Sequence, residues 1–142
     1  MMKQPMIGAL SRGLTALALA AALTACGGST PTSTGAAALQ TETFNGTLVP
    51  GGSVIFPFNA TATGAVAATL TTLTPQSTIT VGFGIGQPSG TACLLLTGGY
   101  SETEKVGVSL TDTIANGSYC VEVYDIGNVS TSNAFTITVT HP

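Results

Sequence analysis

Much of this chain alternates apolar and polar residues one for one, a period that belongs to half-buried antiparallel strands and not to helices. Ile79, Val81, Phe83 and Ile85 alternate with Thr80, Gly82 and Gly84. Val106, Val108 and Leu110 alternate with Gly107 and Ser109. Tyr119, Val121 and Val123 alternate with Cys120, Glu122 and Tyr124, and Phe135, Ile137 and Val139 with three threonines. Charged residues are only 6% of the chain, against roughly 25% in soluble proteins. Threonine takes the outward positions instead; it is β-branched, suits the extended backbone and stays wet without a charge.

Eight candidate strands follow, at about 41–48, 53–59, 64–73, 78–86, 91–97, 104–110, 117–125 and 133–140. Turn residues separate them: Pro50-Gly51-Gly52, Thr74-Pro75-Gln76, Gln87-Pro88-Ser89-Gly90, Gly98-Gly99, Asn116-Gly117 and Gly127-Asn128. Short strands at this spacing, with no helical period among them, predict an all-β fold: an antiparallel, jelly-roll-like β-sandwich. Pro57 has no N–H for a ladder, so its strand is expected at a sheet edge or with a bulge.

The first 25 residues read differently. Lys3 and Arg12 precede an apolar run, Leu14 to Leu23, of ten residues. That is about half the length a bilayer crossing requires. A basic start, a short apolar middle and small residues before a cut make a secretory signal peptide. Leu23-Thr24-Ala25-Cys26 resembles the lipobox of bacterial lipoproteins. That resemblance implies signal-peptidase recognition through Leu23, Thr24 and Ala25, and diacylglyceryl transfer to the Cys26 thiol, with cleavage before it. Each buried CH₂ contributes about 0.8 kcal/mol, so two or three acyl chains hold a protein on a membrane where one does not. Gly27, in place of Asp, implies the outer membrane if the cell is Gram-negative.

Three regions result: a signal peptide at 1–25, a lipidated linker at 26–40 and a β-sandwich domain at 41–142. The segment after Cys26, GGSTPTSTGAAALQ, carries no charge. It is expected to act as a flexible tether with an r.m.s. reach of about 20 Å. Removal of the leader takes Lys3 and Arg12, leaving Lys105 against six carboxylates, a formal charge of −5. Nucleic acid is excluded as a partner, because phosphate binding needs clustered cations. Docking on anionic lipid through charge is excluded too.

Without Cys26, Cys93 and Cys120 are an even pair in an exported protein, and they are expected to form a disulfide closing a loop of 28 residues. Free buried thiols and a catalytic thiol are the alternatives; no His lies near either cysteine in the sequence to lower a thiol pKa.

Little else points to chemistry. His141 is penultimate, a position at which an imidazole is rarely held for catalysis. No metal motif, cofactor motif or phosphate loop is present in the sequence. Asp125 and Asn128 share a turn, Asp112 lies near another, and Glu102 and Glu104 flank Thr103 in an expected loop. None follows calcium-loop spacing, so they read as solvated turn residues. Four glycosylation sequons, at Asn45, Asn59, Asn116 and Asn128, read as coincidences of a Thr-rich chain. Tyr100, Tyr124 and loop Asn/Gln residues are candidates for a sugar or peptide surface, against an ordinary-surface reading of the two tyrosines.

Thr43-Phe44-Asn45-Gly46-Thr47-Leu48, Pro50-Gly51-Gly52-Ser53 and VIFPFNA resemble the opening of bacterial pre-peptidase C-terminal (PPC-like) domains. The block Gly117 to Asp125 and the final FTITVTHP are similar to that family too. The resemblance implies a small jelly-roll sandwich that serves as an accessory module of exoenzymes, some members binding calcium or matrix. No catalytic domain is attached here and no calcium residues of the family are recognisable. The expected function is a lipid-anchored, non-catalytic binding module of the bacterial envelope with a glycan, peptide or envelope-protein partner. The alternatives are a passive envelope component, and an accessory domain binding calcium or glycan.

Overall fold

A computed structural model describes residues 37–142. The signal peptide, the lipobox with Cys26 and the linker up to residue 36 lie outside the described residues.

Eight strands form: β1 (Gln40–Leu48), β2 (Ser53–Ala60), β3 (Gly64–Thr74), β4 (Val81–Ser89), β5 (Ala92–Glu104), β6 (Ser109–Ile114), β7 (Gly117–Tyr124) and β8 (Asn133–His141). They make two four-stranded antiparallel sheets, ordered β1-β8-β3-β6 and β2-β7-β4-β5. The pairing is nested. β4 pairs β5, β3 pairs β6, β2 pairs β7 and β1 pairs β8. The chain is thus one long hairpin of strand pairs with β4–β5 at its tip, wound so that successive pairs fall in opposite sheets. The β3–β8 and β4–β7 ladders close each sheet. This is the jelly roll that the alternation predicts.

The core lies between the inner faces. Val66, Ala68, Leu70 and Leu73 of β3 and Phe135, Ile137 and Val139 of β8 meet Phe58, Val81, Phe83, Ile85, Val121 and Val123 from the opposite sheet. The step from Leu70 to Leu73 breaks period two because β3 carries a bulge at Thr71, and one extra residue restores the inward direction. Phe56 stacks on Phe44 with ring centroids 5.0 Å apart and meets Phe135 edge-on at 6.1 Å. Pro57 sits on β2, an edge strand as expected. Pro88 is tolerated in the interior strand β4 because the β7 ladder stops at Gly86.

Three local expectations fail. Gly98-Gly99 is not a turn between strands: β5 runs through it. Gly84 pairs Tyr100 and Gly86 pairs Leu95, so Leu96 to Gly99 oppose Ile85 alone in a wide bulge, with Gly98 at φ 88°. The Val106/Val108/Leu110 alternation does not open a strand: residues 105–108 turn around Gly107, φ 89°, whose N–H donates to Leu70 O, and β6 starts at Ser109. Val108 is half exposed. Val106 packs against the core from this turn, and three alternating residues are too few to tell such a turn from a strand. The third failure is at β4, which begins at Val81 and not at 78, with Ile79 reaching the core from the preceding loop, and which runs on through Gln87 to Ser89 where a turn was expected.

Candidate functional site

β4 is buried on both faces over six consecutive residues, Val81 to Gly86. Its inner face fills the core. Its outer face is the glycine strip Gly82, Gly84 and Gly86, covered by side chains from neighbouring strands. A Cβ on Gly82 would run into the Tyr124 ring. A Cβ on Gly84 would lie 2.7 Å from Leu95 Cδ2 and 2.9 Å from Tyr100 Cβ. At Gly86 it would meet the Leu94 carbonyl oxygen and lie 2.7 Å from Cys93 Sγ. The missing side chains make a shallow floor into which bulkier neighbours settle.

Registers place the outer face of this sheet in rows. One row holds Ser53, Tyr124 and Gly82. The next holds Ile55, Glu122, Gly84 and Tyr100. The third holds Pro57, Cys120, Gly86 and Leu95. Glu102 is two residues beyond Tyr100 on β5, between the partners of Val81 and Phe83. Tyr100 and Tyr124, 24 residues apart in the sequence, therefore flank one glycine strip. Tyr100 is half exposed and Tyr124 half buried. Burial raises the Tyr124 phenol above its ordinary pKa, and the negative charges of Glu102 and Glu122, with Tyr100, push the same way. These four side chains share one neighbourhood.

From Cys120 in the third row a disulfide reaches Cys93, which pairs with Pro88 one row further on, with Cα atoms 5.9 Å apart. It joins β5 to β7 past Gly86 of the intervening β4. The pairing expected of these cysteines is the one present.

The other sequence candidates have structural duties. Asp125 does share a turn with Asn128, but as its organiser. Its Oδ1 accepts from the N–H groups of Gly127, Asn128 and Val129, and its Oδ2 accepts from Gly51 N–H at 2.8 Å. It pins the β7–β8 loop to the β1–β2 turn. These bonds, Gly51 foremost, lower its carboxyl pKa below the ordinary 3.8. A lowered folded pKa means that Asp125 stabilises the fold above the unfolded value and loses that effect as pH falls through the folded one. Asp125→Ala is therefore expected to melt at a clearly lower temperature than wild type at pH 7, with the gap narrowing as pH falls below 3.8. A gap that stays equal as pH falls would refute that role.

Glu102 and Glu104 lie on β5 and not in a loop. Glu102 is exposed and Glu104 is buried. Burial raises the Glu104 carboxyl pKa, a Ser101 hydrogen bond lowers it less, and its Oε1 has no partner. Asp112 sits within β6, its Oδ1 accepting from Thr113 N–H. Among the described residues no three His, Cys, Asp or Glu side chains converge for a metal.

His141 corrects the expectation that a penultimate imidazole is not held. It is fully buried, its ring 5.0 Å from that of Phe58, with Nε2 2.9 Å from Glu42 Oε1. The signal was in the sequence: Phe135, Ile137 and Val139 step by two, and the next inward position is 141. The loop amides serve elsewhere. Gln76 Oε1 accepts from Asn133 Nδ2 and Ser130 N–H, and Asn128 Nδ2 donates to Thr80. They tie loops to each other and do not join the two tyrosines. Glu102 and Glu122 were not tied to a site at the sequence level. Their period-two position beside Tyr100 and Tyr124 is the signal that links them.

No pocket opens among the described residues.

No family model and no curated protein matches the chain. Among solved structures it is similar to the Yersinia pseudotuberculosis-derived mitogen YPM, at 15% identity and a TM-score of 0.49, over 72% of this chain and 86% of that one. It is also similar to Aeromonas hydrophila PliG, a periplasmic lysozyme inhibitor of g-type lysozyme. There the identity is 12% and the TM-score 0.42, over 70% of this chain and 83% of that one.

Proposed function

We propose that this chain is a lipid-anchored protein of the bacterial cell envelope whose β-sandwich is a non-catalytic binding module. The binding surface is the outer face of the β2-β7-β4-β5 sheet. One observation carries the reading: Tyr100 and Tyr124, remote in sequence, come from the strands on either side of β4 and converge over the same glycine strip. Aromatic side chains present large contact area with few rotatable bonds, which suits recognition. The anchor rests on the leader and on Leu23-Thr24-Ala25-Cys26. The Cys93–Cys120 bond agrees with it, because such bonds persist in oxidising compartments and are rare in the cytosol. Acyl chains on Cys26 would hold the module at the membrane, at the outer membrane in a Gram-negative cell, with the linker setting its reach. The resemblance to PPC-like accessory modules is in keeping with binding without catalysis.

Two measurements test this. Fractionation of cells expressing the full chain should place wild type in the membrane with diacylglycerol mass on its N-terminal peptide. Cys26→Ser should be uncleaved or soluble; a processed, membrane-bound Cys26→Ser would refute the anchor. For the surface, the detergent-solubilised full chain is screened against arrays of glycans and of peptides. Any ligand found should lose affinity severalfold or more with Tyr100→Ala, whose half-exposed side chain can be cut without opening the core. Ligands unaffected by Tyr100→Ala would move the site elsewhere.

A further inference from the structure

We infer that the tyrosine–glutamate face takes a polypeptide segment presenting Lys or Arg side chains, the cations seated on two Tyr/Glu pairs across the glycine strip. The inference rests on the binding reading above and narrows it to one ligand chemistry.

The argument starts from the six carboxylates. Glu42 is bonded to His141. Asp125 is occupied by backbone N–H groups. Glu104 is buried. Asp112 accepts from Thr113 N–H. Only Glu102 and Glu122 make no hydrogen bond or ion pair among the described residues, and both stand beside Tyr124 on the same face. Lys105 is the single Lys or Arg of the described residues and forms no ion pair among them. The two free carboxylates thus pair with no cation among the described residues, and both sit beside half-exposed Tyr100 and half-buried Tyr124.

The arrangement has a spacing. Tyr100 and Glu102 are two residues apart on β5, and Glu122 and Tyr124 are two residues apart on β7. Each aromatic therefore has a carboxylate about 7 Å along its own strand on the same face. The two pairs are separated by β4, two strand spacings or about 10 Å. Between them the Tyr124 ring lies over Gly82, and Leu95 and Tyr100 lie over Gly84, so a crossing chain would rest on these side chains.

A cation over a Tyr ring is attracted by its π-face, and the adjacent carboxylate adds a charge-assisted hydrogen bond. Ile55 and Leu95 border the pairs on the same face and suit the aliphatic stems of Lys and Arg. An extended segment rises about 3.4 Å per residue, so cations three positions apart match the 10 Å separation. An open face with this charge suits a segment laid across it, whereas small ligands are usually held in concave pockets. An anionic bilayer is disfavoured by the same two carboxylates.

The test uses the full chain in neutral detergent and a capped heptapeptide, Lys-Ser-Ser-Lys-Ser-Ser-Lys, titrated by calorimetry. Controls are the same peptide with Gln for Lys, the neutral oligosaccharide chitohexaose, and vesicles containing anionic lipid. Wild type is expected to bind the Lys peptide. Affinity should fall at least tenfold between 50 and 300 mM salt, as screening shortens the Debye length. The double variant Glu102→Gln/Glu122→Gln should weaken it at least tenfold, and Tyr100→Ala severalfold. Melting curves matching wild type establish that the variants fold. Equal binding of the Gln peptide overturns the cationic ligand and leaves the binding face standing. Tyr100-dependent binding of chitohexaose without the Lys peptide does the same in favour of glycan. Binding to anionic vesicles alone overturns the charge argument. If no probe binds and no array ligand depends on Tyr100, the face itself is refuted along with the inference.

Discussion

Replacing both disulfide cysteines, Cys93→Ala with Cys120→Ala, is expected to lower unfolding stability by about 3.5 kcal/mol in the chain-entropy model for a loop of this size. For a domain of about 100 residues that corresponds to a fall in Tm of roughly 15 °C or more. The bond matters because of what it crosses. β5 is the edge strand of its sheet and pairs only with β4 along its length. Four residues of β5 loop out opposite Ile85, so the ladder alone holds its first half loosely. The disulfide fastens that half to β7, two strands in. Wild type with a reductant should reproduce the variant's melt, and a difference from oxidised wild type under 1 kcal/mol would show that the ladder suffices without the bond. The result also bears on compartment: a chain folded in a reducing cytosol would carry that deficit throughout its life.

The second large effect is expected at Gly86. Alanine there places a Cβ against the Leu94 carbonyl oxygen and 2.7 Å from Cys93 Sγ. Neither can swing aside, since one is backbone and the other is tied to Cys120. β4 is flanked by β7 and β5 and cannot shift outward. Gly86→Ala is therefore expected at or above the top of the roughly 1–3 kcal/mol range for overpacking. Chemical denaturation should show the loss, and in the Cys93→Ala/Cys120→Ala background it should shrink, because the sulfur leaves while the carbonyl stays. That coupling is readable as a double-mutant cycle. A Gly86→Ala protein as stable as wild type would contradict the close approach of β5 to β4. Gly82→Ala makes a useful contrast, since the obstruction there is the Tyr124 ring, a side chain that can rotate away.

Alternation was the legible part of this fold. Phe135, Ile137 and Val139, and Val81, Phe83 and Ile85, announced their inward faces before any coordinate was known, because a pleated strand projects successive side chains to opposite sides. The cysteines were legible by number. Where local patterns misled, at Gly98-Gly99 and Val106 to Leu110, glycine was the cause: it marks a departure from regular geometry but not whether the strand ends or bulges. His141 is hidden by its place next to the chain end, although the period-two step from Phe135, Ile137 and Val139 leads to it. The site was the least legible element. Tyr100 and Tyr124 belong to β5 and β7, which never pair with each other; β4 lies between them.

The amino-acid order by itself determined the all-β character and the inward-facing residues of most strands, because period-two burial is a local property of a few residues. It also marked the leader and its cysteine as an expected anchor. Only the tertiary structure decided which outer faces meet. Nested pairing brings β5 and β7 to either side of β4, glycine lets their side chains settle over it, and the carboxylates left unpaired by the rest of the fold come to stand beside the same two rings. That juxtaposition depends on sheet order and register, which are set by how the whole core packs and not by any one segment.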